Sequence, residues 1–485
     1  MNILDQIISY FSPAAGLKRA QHRIALTQMR RYEAAAHGRR TQDWKAGTTS
    51  ANQETELALT TLRNRSRDLD RNNPYANRAF NVIANNTVGT GIKPSPADGN
   101  TKVKEAWKTY AKNCHHEKSL TFYGIQWLVM RTVALSGECL IRRRNTTDSK
   151  AQFKLQVLEP DFLDSSKTLI GYDGEGNYDV QGVRFNKAGE RTGYWLYDKH
   201  PSEFGEVQST LVPAKDILHI YLELRPGQVR GVPFFTPAAL RLKNFDEYED
   251  AQLVRQQIAA CFSVFITDIE TPASTSTTPN LEQVQPGIVE YLPPGKSVEF
   301  ANPPGVDGFD KYSRQVLTAI AAGIGVTYEA MTGDLSNVNF SSGRMGWLEF
   351  ARNVGNWQEM LITKLNDPVW SWFMEALQIQ GATPTEASWT TPRREMIDPV
   401  AETKGLSEQV RNLFVPWEDA VKSIGNDPEQ VLEQSIRTAK AFDDAGLMPT
   451  CDPRFDSNRA VPKDGADGED SPDDSEDTPS ESAAK

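Results

Sequence analysis

The feature that most constrains this 485-residue chain is its hydrophobic period, which changes twice along the sequence. Up to Ser136 apolar residues recur at helical spacing, over Leu57–Asn86 (ended by Gly89, Gly91 and Pro94), Lys102–Cys114 and Phe122–Ser136. From Glu138 to Tyr221 they alternate in short runs, Glu138–Arg143, Phe153–Leu158, Gly182–Phe185, Gly193–Leu196 and Ile217–Tyr221, with turns at Gly171–Asn177 and Asn186–Gly189. That alternation predicts antiparallel strands with one polar face. From Thr236 the helical period returns, with Thr236 expected as cap and Pro237 in the first helical position. Strand-like pieces follow around Ile288–Leu292 and Ser297–Phe300, then a helix from Val306 to Gly323–Gly325. After a polar stretch, Trp347, Phe350, Val354, Trp357, Leu361 and Leu365 form one apolar stripe that Pro368 is expected to interrupt, with Asp367 capping the next helix. A last helix should open at Asp427-Pro428 and close at Gly446. Runs of helices and runs of strands kept apart in sequence define an α+β fold.

Charge narrows the possible functions. From Asp464 to Lys485 there are nine acids and one lysine, so this tail supplies −8 of the net −11 and the remainder of the chain −3. Its Asp/Glu/Ser/Pro/Gly composition offers nothing to pack and predicts a disordered tail that the fold can do without. Residues 1–80 hold thirteen Lys/Arg against seven Asp/Glu. A basic arm can bind nucleic acid, but no aromatics interleave as stacking platforms, so a peripheral helix with a solvated Arg face is the preferred reading. A body near neutrality does not grip duplex DNA, which needs a clear basic excess. The four cysteines are scattered with no C-x-x-C pair, which speaks against a disulfide framework and suits a reducing cytoplasm. No stretch reaches the ~20 apolar residues of a spanning helix, so no membrane partner is expected.

Fragments that could carry catalysis fail on spacing. Gly295-Lys296-Ser297 resembles the end of a phosphate-binding loop, but that motif's first glycine falls on Glu290. Asp173, Glu175, Asn177 and Asp179 alternate like a calcium loop, yet Tyr178 and Arg184 stand where it needs Gly and Glu, so a hairpin turn is expected. Cys114-His115-His116-Glu117 has no second ligand pair and reads as a solvated helix end. His200 and His219 lack a nucleophile context, and Ser165-Ser166 breaks the nuclease spacing among Asp161, Asp164 and Lys167. The chain reads as a non-enzyme with no cofactor and no metal.

The order of short segments goes further. Asp70-Arg71-Asn72-Asn73-Pro74-Tyr75-Ala76-Asn77-Arg78-Ala79 resembles the R-N-N-x-Y-A-x-x-A segment of the lambda-type bacteriophage portal family. Ala322-Gly323-Ile324-Gly325-Val326-Thr327-Tyr328-Glu329-Ala330-Met331 is similar to that family's A-G-x-G-V-x-Y-E-x-L/M segment, and Asn339-Phe340-Ser341-Ser342-Gly343-Arg344 follows it. Leu158-Glu159-Pro160-Asp161, Arg230-Gly231-Val232-Pro233 and Asp427-Pro428-Glu429-Gln430-Val431 also match, in the family's order. Gly343 departs from the pattern, since relatives more often carry a side chain there.

The resemblance implies a portal fold with a mixed α/β wing, a two-helix stem, a small α/β clip inserted between the stem helices, and a helical crown. On this sequence the parts are a basic arm (1–56), wing (57–233), stem helix (234–264), clip (265–303), second stem helix (304–326), tunnel loop (327–343), long wing helix region (344–399), crown (400–462) and acidic tail (463–485). It implies a homo-oligomeric ring of twelve subunits at one capsid vertex of the virion, assembled in the host bacterial cytoplasm. Double-stranded DNA would pass through it without sequence specificity during packaging and ejection. Met331, Asp334, Asn337 and Asn339 are the expected DNA-facing residues of the tunnel loop. Thr271, Pro272, Gln285 and Glu290 of the clip are expected to meet the terminase and the neck or tail adaptor proteins, and the major capsid or scaffold protein is a further expected partner. The alternatives are another virion structural protein, which would not explain two long helices flanking a β insert, and a terminase or nuclease, which would need a carboxylate–metal site or an ATP loop.

Overall fold

The computed structural model describes residue 18 and residues 47–96, 100–147, 152–169, 171–203, 208–260, 264–268, 296–300, 308–378, 383–393, 396 and 398–447, with backbone alone for 258–260, 264–268 and 296–300. Thr271, Pro272, Gln285, Glu290 and the acidic tail lie outside these residues, as does most of the basic arm. The described elements, in chain order, are α1 (Ala51–Asn72), α2 (Pro74–Val88), β1 (Lys93–Pro96), α3 (Thr101–Asn113), α4 (Phe122–Ser136), β2 (Glu138–Asn145), β3 (Phe153–Leu158), β4 (Tyr178–Val180), β5 (Val183–Phe185), β6 (Arg191–Tyr197), β7 (Ser209–Pro213), β8 (Ile217–Tyr221), α5 (Ala239–Ala260), β9 (Val264–Asp268), β10 (Lys296–Phe300), α6 (Phe309–Ile324), α7 (Tyr328–Thr332), α8 (Phe340–Leu361), α9 (Asp367–Gln378), β11 (Ala387–Thr390), α10 (Pro399–Arg411), α11 (Trp417–Ser423) and α12 (Pro428–Ala445). The α+β class stands.

Several boundaries depart from the periodicity for local reasons. The expected single helix over Leu57–Asn86 is two, because Asn73 precedes Pro74 and is extended (φ −114, ψ 120), the conformation a following proline imposes. Thr236 does not cap α5; its hydroxyl donates to Pro233 O, and the helix begins at Ala239. Pro368 does not break the long helix. A π turn at Ile362–Asn366 absorbs its missing N–H and its ring, and the chain runs on into α9. The Cys114 region is a helix end, but a buried one. Cys114 and His115 are shielded from solvent, and the His116 N–H donates to Leu155 O.

The chain forms two compact units, Met1–Pro74 with Thr132–Leu140 and Leu158–Gly305, and Tyr75–Arg131 with Ile141–Val157 and Val306–Lys485. In the first, β4, β5, β6 and β7 form an antiparallel meander in sequence order. Its inner face packs Val183, Phe185, Tyr194, Leu196 and Val212 with Leu158, Leu163 and Ile217. Beside that apolar core sits a buried ionic cluster. Glu138 is wholly enclosed and accepts from Arg230 Nη2 (2.6 Å) and Nε (2.9 Å), His219 Nε2 (2.9 Å) and the Gly231 N–H (2.8 Å). Burial alone would raise its pKa, but Arg230 and His219 outweigh that and hold the carboxyl well below the usual range. Burial pushes His219 down, keeping the imidazole neutral. A second cation, Arg63, is buried 3.9 Å from Glu138, with no hydrogen-bond partner for Nε or Nη1. Gly137 (φ 89) lies where a Cβ would come within 2.6 Å of the Val232 carbonyl carbon, so the Arg230-Gly231-Val232-Pro233 segment passes directly over it.

In the second unit the core is aromatic. The Trp107 ring of α3 lies 5.1 Å from Phe122, 5.0 Å from Trp370, 5.0 Å from Phe373 and 6.3 Å from Trp389, mostly edge to face. Gln126 is fully buried and satisfied. It exchanges hydrogen bonds with both backbone groups of Ile92 and donates to Asn366 Oδ1 at 3.0 Å. The strand pair β1–β11, antiparallel with Lys93↔Thr390, was not expected, because Pro94 read with Gly89 and Gly91 as the end of a helix.

Candidate functional site

The polar connection between α6 and α8 is built by its caps. Gly325 (φ 87) ends α6, its N–H bonded to Ala321 O, and Thr327 Oγ1 accepts from the Ala330 N–H to start α7. Gly333 (φ 79) closes α7 after barely more than one turn, its N–H on Glu329 O. Asn339 then caps α8 in a reciprocal box, Ser342 N–H to Asn339 Oδ1 at 2.8 Å and Asn339 N–H to Ser342 Oγ at 3.1 Å. The open loop is therefore Gly333–Asn339 rather than 327–343, an ordinary length for a helix–helix connection of ~2–8 residues. Length gives no reason to assign it a function.

The four expected DNA-facing residues part company. Met331 lies on α7 and is fully buried, so it anchors the loop and faces no solvent. The Asn339 side-chain oxygen is engaged by the start of α8. Asp334 and Asn337 remain on the loop surface. Asn337 is exposed, with its amide 3.4 Å from Ser336 Oγ. Asp334 accepts from the Ser336 N–H (3.0 Å) and the Tyr328 hydroxyl (3.1 Å), and the Ser336 and Tyr328 bonds keep its carboxyl below the usual carboxylate range. Arg314 of α6 stacks over the Tyr328 ring at 5.0 Å and reaches within 3.9 Å of Asp334 Oδ2.

Sequence reasoning missed a further anchor. Arg78 Nε donates to Ala330 O at 2.9 Å, and its guanidinium passes 3.3 Å from the position a Cβ on Gly333 would take. The 70–79 and 322–344 segments, matched separately, thus meet at the base of the loop. The signal was present in their pairing, but no spacing rule connects residues 250 apart.

The clip residues Thr271, Pro272, Gln285 and Glu290 fall outside the described residues, but the strands that bracket them are described. β9 and β10 pair antiparallel, so Asp268 and Lys296, the described residues on either side of 269–295, stand opposite each other. Lys296-Ser297 opens a strand, whereas a phosphate-binding loop would open a helix there.

The remaining chemical candidates are occupied by structural contacts. Among the described residues, Glu159, Asp161 and His200 could place ligand atoms within 4.8 Å of one another. Arg67 already bonds Asp161 and stands 3.2 Å from Glu159 Oε2, and Asp161 is held ionised by it against the effect of burial. His200 Nδ1 does meet a serine, Ser202 Oγ at 2.7 Å, but the Ser202 N–H addresses the same nitrogen, which makes this an exposed local turn. Asp173 likewise accepts from the Glu175 and Asn177 N–H groups, a turn as expected. Among the described residues no helix is long and apolar enough to cross a membrane.

Comparison with known proteins agrees with the segment matches. The chain is 25% identical over 425 residues to a probable portal protein of Halomonas phage phiHAP-1, covering 80% of this chain and 81% of that one. It is 21% identical over 455 residues to portal protein B of Escherichia phage lambda, covering 79% and 84%. Among solved structures, a chain in the virion of a native gene transfer agent particle superposes with a TM-score of 0.48 at 15% identity, over 80% of this chain and 98% of that one. The profile of the phage portal protein, lambda family, matches residues 37–358, and the chain belongs to that family.

Proposed function

We propose that this portal protein assembles into a closed ring of twelve copies at one capsid vertex, and that the Gly333–Asn339 loops line the passage for double-stranded DNA. The observation that carries this reading is the family match across residues 37–358, which takes in both anchored segments of the loop base, Arg78 and Tyr328–Gly333. A near-neutral body is what a conduit needs, because a bore lined with lysine and arginine would hold phosphates and slow their passage. Asp334 and Asn337 supply polar, non-cationic groups in keeping with that. The segment 269–295, held at its base by β9 and β10 and containing Thr271, Pro272, Gln285 and Glu290, is assigned the contact with the terminase during packaging and with neck and tail proteins afterwards. The capsid or scaffold protein is a further partner on this reading. The chain acts as a channel and joint in the virion and catalyses nothing itself. Native mass measurement of the purified chain at micromolar concentration tests the reading: one closed oligomer of about twelve subunits is expected, and a population of monomers and dimers would refute it.

A further inference from the structure

A ring is closed by a head-to-tail contact, in which two different surfaces of the same chain, facing opposite ways, meet around the circle. The first turns of α8 present two such surfaces. On one side Phe340, Met345 and Leu348 are exposed, at 59%, 68% and 49%. Further along the same side the exposed residues are Arg352, Asn356 and Glu359, so the apolar excess is confined to the start of the helix. On the other side is a hollow of about 520 Å³ between α6, α7 and α8, bordered by Thr318, Ala322, Val326, Glu329, Glu349 and Asn353. Buried Ala321 and Phe350 also line it. Small-molecule pockets of ~300–1,000 Å³ are of this size, so it has room for a few apolar side chains. At 3.6 residues per turn the exposed apolar side points roughly 150° away from the side that lines the hollow.

Charge matches as well. Arg344 and Arg352 stand exposed around the apolar side chains, while Glu329 and Glu349 border the hollow, and Arg314, which also lines it, is engaged by the Tyr328 ring and Asp334. An apolar centre with a charged rim is the ordinary anatomy of a specific protein interface. We propose that the Phe340–Met345–Leu348 face of one copy seats in the α6–α7–α8 hollow of the next, with Arg344 and Arg352 against Glu329 and Glu349. This contact rests on the ring reading above. It places the Gly333–Asn339 loop, which joins α7 to α8, beside the joint between neighbouring copies.

The test uses two variants of the full chain and the mass of the particles they form. M345E/L348E spoils the apolar face, and A322W/E349R fills and inverts the hollow. All four positions are exposed, so circular dichroism should match the parent. Each variant alone is expected to lose the ring and run as a monomer. Mixed in equal amounts they should give a 1:1 complex that grows no further, because the intact face of one fits the intact hollow of the other and the two remaining surfaces are spoiled. Rings from either variant alone, or a mixture that stays monomeric, would overturn the contact while leaving the ring reading in place. Loss of the ring in M345E/L348E but not in A322W/E349R would assign the hollow to another occupant. A parent that forms no ring overturns the ring reading itself.

Discussion

Two arginines face the same buried carboxylate in the first unit, and their removal should have very different costs. Arg230 makes three contacts of 2.6–3.1 Å to Glu138, and its Nη1 donates to Ser165 Oγ (2.8 Å) and Gln181 O (2.9 Å). Arg230→Met leaves Glu138 with His219, the Gly231 N–H and a guanidinium at 3.9 Å. Stripping one partner from a buried pair costs about 3–5 kcal/mol, and Arg63 can drift closer, so the lower half of that range is expected. Arg63→Met removes a buried charge whose Nε and Nη1 are not hydrogen-bonded, and burial already lowers the Arg63 pKa. Its lost attraction and its relieved desolvation nearly cancel, so a change within about 1 kcal/mol of either sign is expected. Hydrogen exchange of the β8 amides, measured against urea, reads the opening free energy of this unit directly. Equal costs for the two variants would refute the assignment of Arg230 as partner and Arg63 as bystander.

Other consequences arise from the same contacts. His219 is buried neutral, with its folded pKa below the unfolded ~6.5, so the unfolded chain takes up the proton first and stability falls as pH drops below that value. His219→Gln should flatten the loss between pH 7 and 5 by up to about 1.4 kcal/mol per pH unit; an unchanged slope in urea melts would contradict it. Trp107→Ala, at the centre of the aromatic core, should cost about 3–5 kcal/mol in the second unit, read as lost exchange protection in α3 and α9, and a cost under 1 kcal/mol would show the core collapses around the gap. Asp334→Lys and Asn337→Lys should leave rings and procapsids intact but slow DNA packaging, most at low salt. Packaging equal to the parent's across a range of salt would remove this loop from the bore.

How much the sequence revealed divides by the range of the interaction. Phe122–Ser136, the strands 153–158 and 217–221, and the Asp427-Pro428 to Gly446 helix were legible because period, cap and stop all lie within each segment. The break at Asn73 was visible in Pro74 and was overridden by an apolar period that continues through it. Strand β1 was hidden, because its pairing with β11 is made almost 300 residues away. At the candidate site the polar stretch was recognisable from composition. Composition could not show that Met331 turns inward, that Asn339 serves its own helix, or that Arg78 supports the base of the loop. Arg230 stood in a matched segment and His219 was weighed as a catalytic candidate, but nothing joined either to Glu138, because a buried ionic cluster has neither period nor spacing.

The central claim, that copies of this chain close around a passage for DNA, is tested most directly by electron microscopy of the purified protein. The account predicts end-on views of closed rings of about twelve subunits with a hole on the axis. Particles without rotational symmetry, or rings whose axis is filled by protein, would contradict it.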